Sequence, residues 1–175
     1  MSGHNKFSKI KHLKAKNDAQ KSKIYTKLGR VIAVEAKKAN GNLSSPGLAA
    51  AIEKARKENM PNDTIERAIK KATDNSAVME DIVYEAYGPG GIAMLIDVLT
   101  DNRNKASQEI RAILARHDVS LASPGSASWA FEKTSEGRAP ISTMPLEEAD
   151  VEKLTKLVEE LEANDDVQEV YTNAE

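Results

Sequence analysis

Residues 82–99 read Ile-Val-Tyr-Glu-Ala-Tyr-Gly-Pro-Gly-Gly-Ile-Ala-Met-Leu-Ile-Asp-Val-Leu, and here the sequence changes from helical to strand periodicity. Its first six residues are rich in β-branched and aromatic side chains, which is typical of a strand. Ile92–Leu99 is almost wholly apolar, as expected of a central strand buried on both faces. The intervening Gly88-Pro89-Gly90-Gly91 lacks the following helix and the Lys-Ser/Thr ending of a phosphate-binding loop, so it predicts a hairpin turn.

After this hairpin, the chain alternates between helical and strand periods. Asp101-Asn102 offers an N-cap to a helix whose inner face is marked by Ala106, Ile110, Ile113, Leu114 and His117. Ala127–Glu132 alternates, which predicts a strand with Trp129 and Phe131 on one face. A polar link with a short strand at Ile141–Met144, a helix over Val151–Leu161 and a strand at Val167–Thr172 follow. This order predicts an antiparallel sheet with two packed helices, an α+β domain.

Before the hairpin, the apolar residues recur at helical spacing only. A helix is predicted from about Asp18 to Ala39, with Asn40-Gly41 as its stop signal. Ser45-Pro46 restarts a second helix with Ser45 as its cap, and Asp63 with Glu66 has the spacing of a capping box for a third. We therefore predict a basic mobile arm over residues 1–17, a three-helix domain over 18–76 and the α+β domain over 77–175.

The charges of the two halves are opposite. Residues 1–78 carry 17 Lys and Arg against 7 Asp and Glu, whereas residues 79–175 carry 8 against 20, giving +10 and −12. Within residues 1–38 the count is 11 against 2. A basic surface of this strength predicts a polyanionic partner, and the acidic half is expected to avoid nucleic acid or to meet another partner.

The candidate nucleic-acid-binding residues follow from this basic field. Lysine suits phosphate as a point charge, and an exposed ring between lysines can stack on an unpaired base. We expect contacts from the arm and the first helix, and from the polar strand-to-helix junction, where Arg103 lies at a helix N-terminus that favours anions. The candidates are His4, Lys6, Phe7, Lys9, Lys11, His12, Lys14, Lys16, Lys21, Lys23, Lys27, Arg30, Asn102 and Arg103. A solvated helix face, core packing of Phe7 and helix capping by Asn102 remain the alternatives.

Nothing in the sequence indicates catalysis, a metal or a cofactor. The absence of cysteine excludes disulfides, thiolate metal sites and cysteine nucleophiles, and the three histidines do not form a metal-binding pattern. No apolar run approaches the roughly 18 residues that span a bilayer, and no signal peptide is apparent. We expect a cytoplasmic protein, monomeric by default, without a small-molecule substrate.

Several motifs resemble the YebC family, which includes PmpR and mitochondrial translational activators. They are Gly3-His4-Asn5-Lys6-Phe7, Ile10-Lys11-His12, Asp18–Leu28, Met60–Ile69, Tyr87–Gly91, Leu99–Asn104 and Asp165–Tyr171, and they span nearly the whole chain. Asn5 and Phe7 stand where the family usually has Ser and Trp. The resemblance implies a three-helix domain followed by an α+β domain. The family's inserted third domain is expected to be missing near residues 134–140.

The resemblance also implies a non-catalytic role in gene expression, for which three hypotheses stand. The first is a translation factor that binds rRNA or tRNA on the ribosome and relieves stalling. The second is a DNA-binding transcriptional regulatory protein, which would place a helix in a major groove. The third is a protein-interaction module that binds an acidic partner without nucleic acid.

Overall fold

The computed structural model describes residues 18–74 and 78–175. These residues form two compact units, one within Lys16–Glu80 and the other within Asp81–Glu175. We call them the helical unit and the sheet unit. Within the described residues, no helix is long and apolar enough to cross a membrane.

The helical unit contains the three predicted helices, α1 (Asp18–Lys38), α2 (Pro46–Lys57) and α3 (Asn62–Thr73). They meet around a core of buried aliphatic side chains: Leu28, Ile32, Ala36, Leu48, Ala51, Ala55, Met60, Ile65 and Ala72. The predicted stop of α1 is confirmed. Asn40 and Gly41 have positive φ, and the Gly41 N–H donates to the Ala36 carbonyl at 2.9 Å.

Two predicted helix caps differ in the structure. Ser45 occupies the N-cap position of α2, but its side chain makes no capping hydrogen bond. The capping box between Asp63 and Glu66 is wrong, because α3 begins two residues earlier, with Pro61 as its N-cap. Pro61 has φ −59°, and its carbonyl accepts from the N–H groups of Thr64 and Ile65. The fixed φ of proline therefore starts the helix without a side-chain cap.

The sheet unit is built on three strands in the order β1 (Glu80–Tyr87), β2 (Ala93–Thr100) and β5 (Val167–Thr172). β2 pairs antiparallel with β5, with Ile96 opposite Val170, and is buried along nearly its whole length. This confirms the predicted central strand. The turn before it is confirmed as well, since Gly90 and Gly91 have φ of 71° and 78° and a Cβ at Gly90 would collide with Leu146.

Helices α4 (Arg103–Arg116) and α5 (Glu148–Ala163) cover one face of this sheet, as predicted. Their buried side chains, including Ile110, Leu114, Leu154, Leu157 and Leu161, pack against Met94, Ile96 and Val98. His117 is not a core residue of α4. It is the C-cap, and its Nε2 lies 2.6 Å from Glu160 on α5. The hydrogen bonds from His117 and Arg116 hold the pKa of Glu160 below its ordinary value.

The opposite face carries β3 (Phe131–Thr134) and β4 (Gly137–Pro140), which form a separate antiparallel hairpin and do not join the three-stranded sheet. Phe131 joins a small second core with Ala93 and Leu95. The predicted alternation over Ala127–Glu132 is wrong, because Ser128–Ala130 is a 3₁₀ helix. The side chain of Trp129 therefore stays 61% exposed while that of Phe131 is buried. The predicted strand at Ile141–Met144 is reduced to one bridge from Met144 to Ala174.

The loop that precedes this 3₁₀ helix is held by one buried carboxylate. Glu85 on β1 is 7% exposed and accepts from the backbone N–H groups of Gly125, Ala127 and Ser128 at 2.7, 2.7 and 2.9 Å. Burial by itself raises the pKa of Glu85. The three N–H donors, together with the charge of Arg138, outweigh burial and leave the pKa below its ordinary value.

Candidate nucleic-acid interface

Four of the six cationic residues of helix α1 lie on the side that faces away from the core. Leu28, Ile32 and Ala36 point into the helical unit. Four cationic side chains recur at i, i+4, i+7 and i+14 on the opposite side: Lys23, Lys27, Arg30 and Lys37. We call these four residues the α1 basic row.

The length and sign of the α1 basic row suit a nucleic-acid backbone. At 1.5 Å per residue, it extends over about 21 Å of helix, which spans several phosphates of one strand. Glu35, an acidic residue of the same helix, lies elsewhere on the surface, where it pairs with Lys38 at 2.7 Å. The structure thus aligns Lys23, Lys27 and Arg30 of the predicted set, and it adds Lys37, which sequence reasoning had not singled out.

Lys21 of the predicted set belongs to a different feature. It lines a recess of about 510 Å³ between α1 and α3, together with Ser22, Tyr25, Thr26 and Thr64. The Tyr25 hydroxyl donates to the Asn59 carbonyl at 2.8 Å, which fixes the ring. Sequence reasoning missed these four residues. The sequence does contain a pattern that indicates Tyr25: an aromatic residue between two lysines, Lys23 and Lys27, as for Phe7.

The outer side of α3 is poorly equipped to read bases. Asp63 and Glu66 lie in its first turns and line a recess with Arg67 and Lys70. Arg67 donates to the Asp63 carbonyl at 3.2 Å and to the Thr64 hydroxyl at 3.2 Å. Carboxylates repel phosphate and accept mainly from cytosine in the major groove, so α3 is a weak candidate for direct sequence readout.

Asn102 and Arg103 lie in the sheet unit, at the start of α4. The Asn102 Oδ1 accepts from the Lys105 N–H at 3.0 Å, so the capping alternative is confirmed for this residue. A second hydrogen bond stabilises the junction, because the Thr100 hydroxyl at the end of β2 donates to Asp166 at 3.0 Å. Arg103 is exposed at the first helical position. A contact of either side chain with nucleic acid stays a prediction.

Replacing Asn102 with alanine is expected to lower the stability of the sheet unit by about 1 kcal/mol, because the Lys105 N–H loses its acceptor. Asn102→Ser keeps a capping oxygen and should lose only a few tenths. Urea unfolding followed by the fluorescence of Trp129, the chain's one tryptophan, measures both variants. Equal stability of the wild type and N102A would contradict the assigned cap. A fall in nucleic-acid affinity shared by both variants would identify a direct contact.

The remaining predicted residues lie outside the described part of the chain. They are His4, Lys6, Phe7, Lys9, Lys11, His12, Lys14 and Lys16. Over residues 18–74 and 78–175, no group of three His, Asp or Glu side chains is placed to hold a metal ion.

The comparisons with known proteins agree on one family. A model of the TACO1/YebC N-terminal domain matches residues 5–75 of this chain. A model of the TACO1/YebC second and third domain matches residues 79–139 and 134–174. The two segments of the second match meet at the β3–β4 hairpin.

The similar proteins support this match over the full length of the chain. A "probable transcriptional regulatory protein" of Thermosipho africanus is 39% identical over 237 positions, covering 100% of this chain and 94% of that protein. One of the same name from Petrotoga mobilis is 44% identical, covering 100% of this chain and 71% of that protein. The crystal structure of a conserved hypothetical protein from Aquifex aeolicus has a TM-score of 0.83 at 31% identity, with 95% of each chain covered.

Proposed function

Because the chain belongs to the TACO1/YebC family, we propose that it is a nucleic-acid-binding regulator of gene expression that acts by binding DNA in transcription, without a catalytic step. Two observations support this. The relatives from Thermosipho africanus and Petrotoga mobilis are named as probable transcriptional regulatory proteins. The α1 basic row supplies a surface that fits the phosphate backbone.

The observation that carries the proposal is the α1 basic row. Cations aligned on one helix face neutralise successive phosphates and release condensed counterions, which supplies affinity without dependence on sequence. Because α3 presents Asp63 and Glu66 at its start, we propose binding through the backbone in preference to base-edge contacts. The sheet unit, with its excess of carboxylates, is proposed to stay away from the nucleic acid.

A second candidate is a translation factor that binds rRNA or tRNA on the ribosome and relieves stalling. The weakness of α3 as a reading helix favours it, because a backbone-binding surface serves structured RNA as well as DNA. In this case the acidic sheet unit is proposed to contact a basic protein of the ribosome. The two candidates share the α1 basic row and differ in the nucleic acid that it meets.

We also propose that this chain lacks the inserted third domain of its family. The alignment with the Thermosipho africanus protein runs over 237 positions, at least 62 more than this chain's 175 residues can fill. The second family model also breaks at residues 134–139, where β3 and β4 are joined by a tight hairpin. This chain would then have to make any contact that relatives make through that domain with other residues, or not make it.

Binding across a salt series tests the proposal. If about six of the candidate cations each contact one phosphate, log K for duplex DNA should fall against log salt with a slope of about −5.4. Duplex DNA, structured RNA and ribosomes are compared at equal ionic strength. Tight binding to one DNA sequence, well above a scrambled duplex, supports transcriptional regulation. Tight binding to ribosomes with weak duplex binding supports translation, and no salt-sensitive binding to any of the three contradicts both.

A further inference from the structure

Between α1 and α3 lies a recess of about 510 Å³ that is largely open to solvent. It combines one ring, from Tyr25, with one cation, from Lys21, and hydroxyls from both helices. All of its lining residues belong to the helical unit, which also carries the α1 basic row.

The ring of Tyr25 is held in place before any ligand arrives. The side chain packs against the core of the helical unit and is half-buried. Its hydroxyl is tied to the Asn59 carbonyl, 34 residues along the chain. A ring fixed at both ends loses little conformational freedom when a flat group packs against it, and such preorganisation favours binding.

The polar groups around the ring match the rest of a nucleotide. Lys21 lies one helical turn before Tyr25, so the two side chains are neighbours with Cβ atoms about 5–6 Å apart. A nucleotide, which joins a flat base to a phosphate, can therefore contact the ring and the ammonium group together. Across the recess, the Thr64 hydroxyl accepts from Arg67 at 3.2 Å, which leaves its own proton to donate to a ligand oxygen.

A nucleic-acid base can pack against this ring only when it is out of its stack. A paired base inside a duplex has both faces covered by its neighbours, so a half-buried ring in a recess cannot reach them. An unpaired base can leave the strand and stack on an aromatic side chain while its phosphate stays near a cation.

We propose that this recess binds a single unpaired nucleotide, with its base against Tyr25 and its phosphate at Lys21. This inference rests on the proposed nucleic-acid binding and deepens it: the α1 basic row follows the backbone, and the recess selects strands with unpaired bases. Single-stranded or melted DNA and looped RNA share this chemistry.

Fluorescence anisotropy with labelled twelve-nucleotide probes tests the inference. The probes are a thymine strand, a uracil strand, a strand of the same length without bases, and a duplex. The wild type should bind each base-bearing strand about tenfold more tightly than the baseless strand. Tyr25→Leu, which keeps apolar packing but has no ring, should lose most of that ratio. Tyr25→Phe, which keeps the ring, should retain it.

The outcomes separate this inference from the proposed function. Equal affinity of the wild type for base-bearing and baseless strands overturns the inference, while duplex binding that persists leaves the proposed function standing. Binding of the wild type to none of the probes overturns both. A preference for unpaired bases that survives in a folded Y25L, as judged by its thermal unfolding, also overturns the assignment to this recess. The thymine and uracil strands distinguish DNA from RNA as the source of the nucleotide.

Discussion

Replacement of Glu85 by glutamine is expected to lower the free energy of unfolding of the sheet unit at pH 7 by about 3 kcal/mol. The carboxylate accepts from three backbone N–H groups, and hydrogen bonds to a buried charge contribute more than neutral ones. The glutamine keeps only one acceptor oxygen. Its NH₂ group cannot accept a hydrogen bond, so at least one of the three backbone N–H groups loses its partner. Urea unfolding followed by Trp129 fluorescence suits the measurement, because Trp129 follows Ser128, one of the residues that Glu85 holds.

In the same variant, the free energy of unfolding should fall less on acidification than it does in the wild type. The pKa of Glu85 is lowered in the folded state, so between its unfolded value near 4.5 and its folded value the unfolded chain binds more protons. The contribution of Glu85 is therefore fully present above about pH 4.5 and is lost as the pH falls through the folded pKa. The gap in stability between the wild type and E85Q should be widest at pH 7 and should narrow on acidification.

Glu132→Gln on β3 provides the matched control. Glu132 is exposed, so its replacement should change stability by less than about 0.5 kcal/mol and leave the pH profile unaltered. An E85Q variant as stable as E132Q at pH 7 would show that the three N–H groups do not depend on the carboxylate.

Neutralising three of the four residues of the α1 basic row is expected to cause the largest loss of nucleic-acid affinity. In the triple variant Lys23→Gln, Lys27→Gln, Arg30→Gln, each lost phosphate contact removes about 0.9 from the salt slope on duplex DNA. The slope should become less negative by about 2.7, and the affinity at 0.1 M salt should fall by about two to three orders of magnitude. Because the lost contacts are to phosphates, the loss should be similar for all sequences of equal length.

A control with the same change in net charge separates position from overall charge. Arg111→Gln, Lys153→Gln and Lys156→Gln remove three cations from exposed positions of the sheet unit. This triple should alter the slope by much less than the α1 triple. Equal losses in the two triples would mean that the overall charge, and not the α1 basic row, governs binding. An α1 triple that binds as the wild type would place the interface elsewhere.

The predictions from periodicity were confirmed for elements whose pattern lies within a single segment of the chain. The spacing of Ile24, Leu28 and Ile32 predicts α1 because an apolar stripe must face a core, and the structure buries Leu28 and Ile32. The apolar run Ile92–Leu99 predicts the central strand for the same reason, and β2 lies between β1 and β5. The prediction failed at Trp129 and Phe131, where a 3₁₀ turn interrupts an alternation that reads as a strand.

The family, the three helices followed by an α+β unit, the central strand and the excess of basic residues in α1 could all be predicted from the sequence alone. These depend on periods and charges within single segments. Only the tertiary structure decided that Glu85 holds a loop some 40 residues away and that Thr64 closes a recess against Tyr25. Such contacts join residues that are distant in sequence, and a hydrogen bond depends on where the folded backbone brings donor and acceptor together, which no local period encodes.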